Sequence, residues 1–428
     1  MPNNLEASWT SDAEATGRVE VDLGDAGVRT FATETAPTTS HRALLLGLPA
    51  DTEVAWTAFT ATDGVELSCA GTTLTGSLPD WLPEWTHHQR SAYSGGPWLA
   101  GAAFPWGDGT PLVFVLDPAG DYAWYQALPE GTEVVALQPD PTRPGVLASA
   151  VFSADHLSDE TQVLRWALDG SEAWPPEALA AGHHAVVLHE DGAVAWLARD
   201  VREWLDPDAN NQVAVAGDAL VVRAADGTTR TMLSTWDILD VVAGKRWSAG
   251  FYPDAYDWTH ANALTWSAER GTYLMSLGGI DTILEVDGES GAVLRSFVGE
   301  DGGAGVNGEG LGEPDLADSF SLPHSPSLIN TDDLLLVSLG TQIEVVLYEV
   351  ETTGLERVWS VSGDTISLAL GSAEVQSDHE LVFAGGSARF LRQHDGSGQL
   401  ISDADLESGY VLGDVRALPA ALVASFGG

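Results

Sequence analysis

The chain has 428 residues, of which 63 are acidic and 18 are basic, giving a formal net charge of −45. A length this great allows a sizeable buried core, and 44% hydrophobic residues with 16 tryptophans indicate packed structure rather than disorder. So acidic a surface repels phosphate backbones and anionic lipid, and no apolar run approaches the roughly 18 residues of a membrane span, so we expect neither a nucleic-acid partner nor membrane insertion.

The cysteine count and the acidic composition indicate the cellular compartment in which the protein is expected. Cys69 is the only cysteine, which excludes an intramolecular disulfide and any cysteine-based metal cluster. An acidic surface of this kind keeps a protein soluble in an extracellular or salty medium. We therefore expect a periplasmic or secreted protein whose leader is absent from this sequence, and we expect any self-association to give a homodimer.

Residues 1–85 predict a small N-terminal β-sandwich followed by a linker. Short alternating runs, separated by turn residues at sandwich-like spacing, lie at 7–10, 17–21, 41–46 and 53–58. The segment Leu48–Val54 resembles a corner of the fibronectin type III module, and the proline-rich stretch 78–85 is typical of a linker. The first domain is therefore predicted to be fibronectin type III-like.

One pattern recurs six times over the rest of the chain: a β-rich run, an Asp/Gly turn, and a further strand. The copies lie at 113–120, 163–170, 221–227, 283–291, 346–354 and 390–396. Their spacing suits propeller blades of about 40 to 50 residues with loop insertions. Because a four-stranded unit cannot bury both faces alone, such units stack around an axis. We therefore predict an all-β protein with a six-bladed β-propeller over 86–428; the alternative is an irregular array of sandwiches.

Three histidines begin a second recurring element, an apolar strand upstream of several of these turns. They are His184, His260 and His324. In a propeller the first strand of each blade lines the central channel, so matching positions on these strands form a ring at one mouth. The three imidazoles are therefore predicted to face one another across the channel.

Several short motifs in this region resemble the bacterial arylsulfate sulfotransferases. The run Asp257-Trp258-Thr259-His260-Ala261-Asn262-Ala263 is similar to the family's D-W-x-H-x-N-[SA]. The run Phe320-Ser321-Leu322-Pro323-His324 is similar to its F-x-x-Q-H, with Pro323 in place of glutamine. His183-His184 is similar to its H-H-D, with Ala185 in place of the aspartate.

The resemblance implies a periplasmic six-bladed propeller that moves a sulfuryl group from a small aromatic sulfate to a phenol. His324 falls on the family's transient sulfohistidine, His184 and His260 on its supporting histidines, and Asn262 on a hydrogen-bonding partner. Histidine suits this chemistry because it can be nucleophile, base or cation according to its neighbours. Two displacements at one histidine need neither a metal nor a nucleotide cofactor.

One departure from the family lies shortly after Ser276, where Gly278 takes the place of an arginine. A forked guanidinium that pairs with sulfate oxygens is hard to replace by a neutral group. Arg246, Arg270 and Arg295 are candidates to supply the missing charge from elsewhere.

Two other interpretations stay open at this point. Three neutral imidazoles around a channel could hold Zn²⁺, Mn²⁺, Fe²⁺ or Cu²⁺, which would make the chain a metal-dependent lyase or hydrolase. Alternatively, the ring of blades is a non-catalytic binding platform. The acidic, glycine-rich stretch 299–312 is a candidate structural Ca²⁺ site at the channel mouth, although its carboxylates do not follow EF-hand spacing.

Overall fold

The computed structural model describes residues 4–24, 27–33, 36–62, 65–89, 97–153, 161–170, 174–206, 210–241, 251–299, 319–329, 333–350, 354–363, 365–376 and 380–427. Almost all regular structure in these ranges is antiparallel β-sheet, which confirms the predicted all-β class. No helix in the described ranges is long and apolar enough to cross a membrane.

The N-terminal unit contains five strands, which are β1 (Leu5–Asp22), β2 (Val28–Ala32), β3 (Thr38–Leu45), β4 (Glu53–Thr62) and β5 (Val65–Leu74). The long strand β1 pairs with β3 along its first half and with β2 and β4 along its second half, with a register shift between Thr10 and Ala15. β5 pairs with β4. Because β1 joins both sets of strands, its apolar residues contribute to a core shared with β2, β3 and β4.

Six further sheets follow, and each contains four antiparallel strands in order, with one additional strand in two of them. The first sheet contains β7 (Leu99–Pro105), β8 (Leu112–Leu116) and β9 (Tyr122–Ala127). The second sheet contains β10 (Thr132–Pro139), β11 (Val146–Ser153), β12 (Gln162–Ala167) and β13 (Glu177–Ala178). The third contains β14 (Gly182–Leu188), β15 (Val194–Asp206), β16 (Asn211–Arg223) and β17 (Thr229–Ser234), with the short β18 (Tyr256–Asp257) beside β16.

The remaining sheets complete the series. The fourth contains β19 (Ala261–Ser267), β20 (Thr272–Leu277), β21 (Thr282–Asp287) and β22 (Val293–Val298); the fifth contains β23 (Pro323–Ile329), β24 (Asp333–Ser338), β25 (Glu344–Val350) and β26 (Leu355–Ser362). The sixth contains β27 (Ser372–Val375), β28 (Leu381–Ala384), β29 (Phe390–His394) and β30 (Leu400–Leu406), with β6 (Trp85–Gln89) beside β30. The last strand, β31 (Tyr410–Ala417), pairs with β7 and so supplies the first strand of the first sheet.

The six predicted turn units all fall at the same place in these sheets, between the third and fourth strands. The turn after β8 shows the local reason. The Asp117 carboxylate accepts a hydrogen bond from the backbone N–H of Ala119, and Gly120 adopts φ +86°, which few other residues tolerate. In the first sheet, a few consecutive residues thus determine this hairpin.

The first strands of the six sheets contact one another in a closed succession. β31 contacts β10, which contacts β14, and the series runs through β19, β23 and β27 back to β31. All six strands line one cavity of about 490 Å³. The chain ends are tied into this arrangement, because β31 pairs with β7 near the start of the region and β6 pairs with β30 near its end. β6 begins at Trp85, the last residue of the predicted linker.

Two four-residue helices complete the described structure, α1 (Thr235–Ile238) and α2 (Ala420–Val423). A 3₁₀ turn follows α2, and the Phe426 ring in it stacks on Trp98 with ring centroids 4.6 Å apart. The carbonyl of Gly427 accepts a hydrogen bond from the backbone N–H of Thr30. The C-terminal segment therefore contacts both the N-terminal unit and the first sheet.

Candidate functional site

The three histidines singled out from the sequence lie at the starts of consecutive first strands. His184 is in β14, His260 directly precedes β19, and His324 is the second residue of β23. His184 and His260 adopt φ values of +51° and +46°, and Ser325 after His324 adopts +48°. Positive φ in non-glycine residues is costly and persists where the surrounding structure enforces it, as it commonly does at functional sites.

His184 and His260 contact each other directly. Their ring centroids lie 5.0 Å apart, with the rings nearly perpendicular. Phe251 covers both, stacking on His184 at 5.0 Å and meeting His260 edge-on at 4.8 Å. An aromatic ring on two imidazoles limits their contact with water and fixes their orientation. Phe251 was not expected from the sequence, and the neighbouring rings of Tyr252 and Trp258 are also buried.

A buried carboxylate supports His184 through a second histidine. Nε2 of His183 lies 3.0 Å from Oδ1 of Asp218, and Nδ1 of His183 lies 3.0 Å from Nδ1 of His184. Asp218 is 1% exposed, and His183 and His184 are also buried. Asp218, His183 and His184 therefore lie in contact one after another, and His184 lines the cavity.

The other oxygen of Asp218 holds the backbone on both sides of His260. It accepts 2.6 Å hydrogen bonds from the Thr259 hydroxyl and from the backbone N–H of Ala261. Burial by itself would raise the pKa of Asp218, but these bonds and the contact with His183 outweigh it and hold the pKa below its usual value. One buried carboxylate from β16 thus positions two of the three histidines.

His260 has a carboxylate partner of its own. Its Nδ1 lies 2.5 Å from Oδ2 of Asp257, a residue 2% exposed. Burial alone would lower the pKa of His260, but the hydrogen bond and charge of Asp257, with a further contribution from Asp218, raise it above its usual value. His260 is therefore suited to carry a proton, and its side chain keeps 30% of its surface exposed to deliver one.

His324 has the opposite environment. It is buried, no side chain in the described part of the chain hydrogen-bonds either of its ring nitrogens, and the backbone of Gly371 lies against the ring. Burial, assisted by the charge of His260, lowers the pKa of His324 to about 4, although the backbone at Gly371 opposes the shift. At neutral pH this imidazole is uncharged and offers a free lone pair beside a proton donor.

The side chain of Asn262 lies next to Gly278. The Ser276 hydroxyl lies 2.8 Å from Oδ1 of Asn262 and 2.6 Å from the carbonyl oxygen of Pro323, which links Asn262 to the residue before His324. A Cβ at Gly278 would lie 2.6 Å from Nδ2 of Asn262. The amide of Asn262 therefore occupies the space that any larger side chain at 278 would need.

Neither Arg270 nor Arg295 supplies the missing charge. Both guanidinium groups bond to the buried carboxylate of Glu285, between β20, β21 and β22. Arg246 lies outside the described residues, as does nearly all of the glycine-rich stretch 299–312 with its candidate Ca²⁺ site. Within the described ranges, no three His, Cys, Asp or Glu side chains are arranged so that they could hold a metal ion.

Four residues of this site were not predicted: Asp218, Asp257, His183 and Phe251. Asp257 and His183 lie within the motifs that resemble the family, so their positions carried a signal that was not used. Asp218 carried none, because a single aspartate in a strand reads as an edge or surface residue, and its partners lie 35 to 43 residues away in the chain.

Replacing Asp218 by asparagine is expected to lower the free energy of unfolding by about 3 kcal/mol, since one partner of a buried, hydrogen-bonded set is removed. Thermal unfolding of Asp218→Asn against the parent measures this. Asp237→Asn is the matched control, because that carboxylate is 67% exposed and pairs only with Arg202. Equal unfolding temperatures for Asp218→Asn and the control would contradict the assigned role.

Three comparisons place the chain among known proteins. The model of the arylsulfotransferase (ASST) family matches residues 107–298, a range that includes His184, His260 and Asn262 and ends before His324. No curated protein sequence matches the chain. The chain is also similar to solved structures at identities of 9 to 12% and TM-scores of 0.39 to 0.41.

Three of those structures illustrate the level of similarity. A catalytically inactive virginiamycin B lyase from Staphylococcus aureus, solved with quinupristin, has 10% identity and a TM-score of 0.41, covering 78% of this chain and 100% of that one. A functionally unknown protein from Desulfotomaculum acetoxidans has 9% identity and a TM-score of 0.39, covering 85% and 95%. A luciferin-regenerating enzyme has 12% identity and a TM-score of 0.40, covering 78% and 97%.

Proposed function

We propose that the chain, whose residues 107–298 match the model of the arylsulfotransferase (ASST) family, transfers a sulfuryl group from a phenolic sulfate to a phenol through a sulfohistidine at His324. The observation that carries the proposal is the contrast between two neighbouring histidines. His324 is buried, uncharged and without a side-chain hydrogen-bond partner among the described residues, whereas His260 is held toward its protonated form by Asp257.

In the first displacement, the lone pair of a His324 nitrogen attacks the sulfur of the aryl sulfate. The S–N bond forms as the bond from sulfur to the phenolic oxygen breaks, and the electron pair leaves with the oxygen. The His260 imidazolium donates its proton to that oxygen, so a neutral phenol departs and His260 becomes neutral. Asp257 stabilises the imidazolium before transfer and keeps its ring oriented.

The second displacement reverses these roles. Neutral His260 accepts the proton of the incoming phenol, whose oxygen attacks the sulfur while the S–N bond breaks and the electron pair returns to His324. His184 lines the same cavity and is positioned by its contact with His183, and the Ser276 hydroxyl links Asn262 to the backbone beside His324. Neither step uses a metal or a nucleotide cofactor.

We further propose that the six sheets are the blades of a six-bladed β-propeller, with β1–β5 as an N-terminal β-sandwich. Support comes from the closed succession of first strands and from β31, which completes the first sheet with the C-terminal end of the chain. The cavity between the first strands then is the channel, and its volume suits a small aromatic substrate. The acidic surface fits a periplasmic or secreted location.

The wild-type protein is expected to release more than one equivalent of nitrophenol from 4-nitrophenyl sulfate only when a second phenol is present. Initial rates at several concentrations of donor and acceptor should give the parallel double-reciprocal lines of a ping-pong mechanism. Donor alone should leave one SO₃ group on the peptide that contains His324, detected by mass spectrometry.

The chelator control separates this function from the metal alternative. Dialysis against a chelator should leave the transfer rate unchanged. Activity that disappears on dialysis and returns with a divalent transition metal would instead support a lyase or hydrolase. Continued release of nitrophenol beyond one equivalent, with water as the only acceptor, would contradict the transferase.

A further inference from the structure

A sulfuryl group in transfer carries negative charge on its oxygens, and the described surroundings of His324 contain few cations to balance it. A side chain at position 278 would meet the amide of Asn262, because a Cβ there would lie 2.6 Å from its Nδ2. Arg199 bonds to Asp254 and lies over the Tyr252 ring. A cation for the sulfuryl oxygens would therefore come from another strand.

One basic residue, Arg416 in β31, lines the cavity among the described residues. The same cavity is lined by His184, Asn262 and His324. The Nε of Arg416 donates a 2.6 Å hydrogen bond to Oδ2 of Asp414. No described residue accepts a hydrogen bond from either Nη of Arg416. With 39% of the side chain exposed, the guanidinium is fixed at one edge and open at the other.

β27 connects the strand of His324 to the strand of Arg416. The Gly371 backbone, directly before β27, lies against His324. The next residue, Ser372, accepts a 3.0 Å hydrogen bond from the backbone N–H of Val415. Glu374 then accepts one of 2.8 Å from Ala417. Side chains of β27 thus hold the backbone on both sides of Arg416, which gives the guanidinium a defined position two strands from His324.

We propose that Arg416 is the anion-binding residue of the cavity and that its two Nη groups pair with the sulfate oxygens of the aryl donor. This assignment of Arg416 rests on the proposed function. Arg416, in the last strand of the chain, would supply the guanidinium that is missing at position 278. A fork of two N–H donors matches two oxygens of one tetrahedral anion, which a lysine or an amide does not.

The charges around Arg416 also determine which anion fits. Asp414 and Glu374 line the same cavity, and no second basic residue does so in the described ranges. A sulfate monoester carries one negative charge, which Arg416 can balance. A phosphate monoester above its second pKa carries close to two, and the second would face these carboxylates unpaired. The site should therefore select aryl sulfates over aryl phosphates.

The test measures binding apart from turnover, in a His324→Asn background that cannot form the sulfohistidine. Titration calorimetry with 4-nitrophenyl sulfate should show binding to His324→Asn, and the added Arg416→Gln change should weaken it by about 10- to 100-fold, as expected for the loss of a charge-assisted pair. Arg416→Lys should recover only part of the loss. Arg357→Gln is the matched control, because Arg357 pairs with Glu344 away from the cavity, and it should bind as the background does.

Each result decides the proposal. Equal affinity with and without Arg416→Gln, with folding confirmed by circular dichroism, would overturn it, and so would a background that binds no aryl sulfate. If Arg416→Gln does not fold, affinity of Arg416→Lys equal to the background overturns it. Arg416-dependent binding in a chain that never transfers sulfuryl groups would retain the anion site and reject the transferase. Equal affinity for 4-nitrophenyl phosphate and sulfate would refute the charge selection.

Discussion

His324→Ala is expected to lower the rate of sulfuryl transfer by a factor of at least about 10³, because the covalent intermediate forms on this side chain. The assay is release of nitrophenol from 4-nitrophenyl sulfate in the presence of a phenol. His394→Ala is the matched control, since His394 is a buried histidine of β29 and does not line the cavity. An unchanged rate in His324→Ala would end the assignment.

The pH dependence of stability gives a second readout for the same residue. A pKa of about 4 in the folded protein, against about 6.5 in the unfolded chain, means that the unfolded state binds more protons between these values. His324 therefore makes the protein lose stability as pH falls from about 6.5 to 4, by up to about 3 kcal/mol. His324→Ala should remove that contribution, so its unfolding temperature should fall less over the same pH range.

Asp257→Asn is expected to lower kcat/KM for the aryl sulfate by about 10²- to 10⁴-fold, the range seen when the carboxylate that orients a catalytic histidine is made neutral. The pH profile should change as well. Because Asp257 raises the pKa of His260, its replacement lowers that pKa, and the loss of activity at alkaline pH should begin at a lower pH than in the wild type.

Asp254→Asn is the control for this variant. Asp254 lies three residues earlier, is 52% exposed and pairs with Arg199 rather than with His260. We expect its kcat/KM and pH profile to stay close to those of the wild type. An Asp257→Asn variant that keeps the wild-type alkaline limb would show that Asp257 only supports the fold.

Local features of the sequence were enough to predict the repeated hairpins. Each turn unit depends on a few consecutive residues, such as Asp117 and Gly120, whose side-chain hydrogen bond and backbone freedom determine the turn without help from the rest of the chain. The same holds for the placement of His184, His260 and His324 at strand starts, since the apolar run after each predicts the strand.

What the sequence by itself determined, then, is the all-β class, the six repeated hairpins and the three histidines on equivalent strands. The tertiary structure alone determined which groups surround the three histidines. Asp218 reaches His183 and Ala261 from a different part of the chain, Asn262 closes position 278, and Arg416 enters the cavity because the last strand pairs with β7. The physical reason is distance along the chain: turn formation needs neighbours in sequence, whereas pKa values and cavity linings depend on groups that only folding brings together.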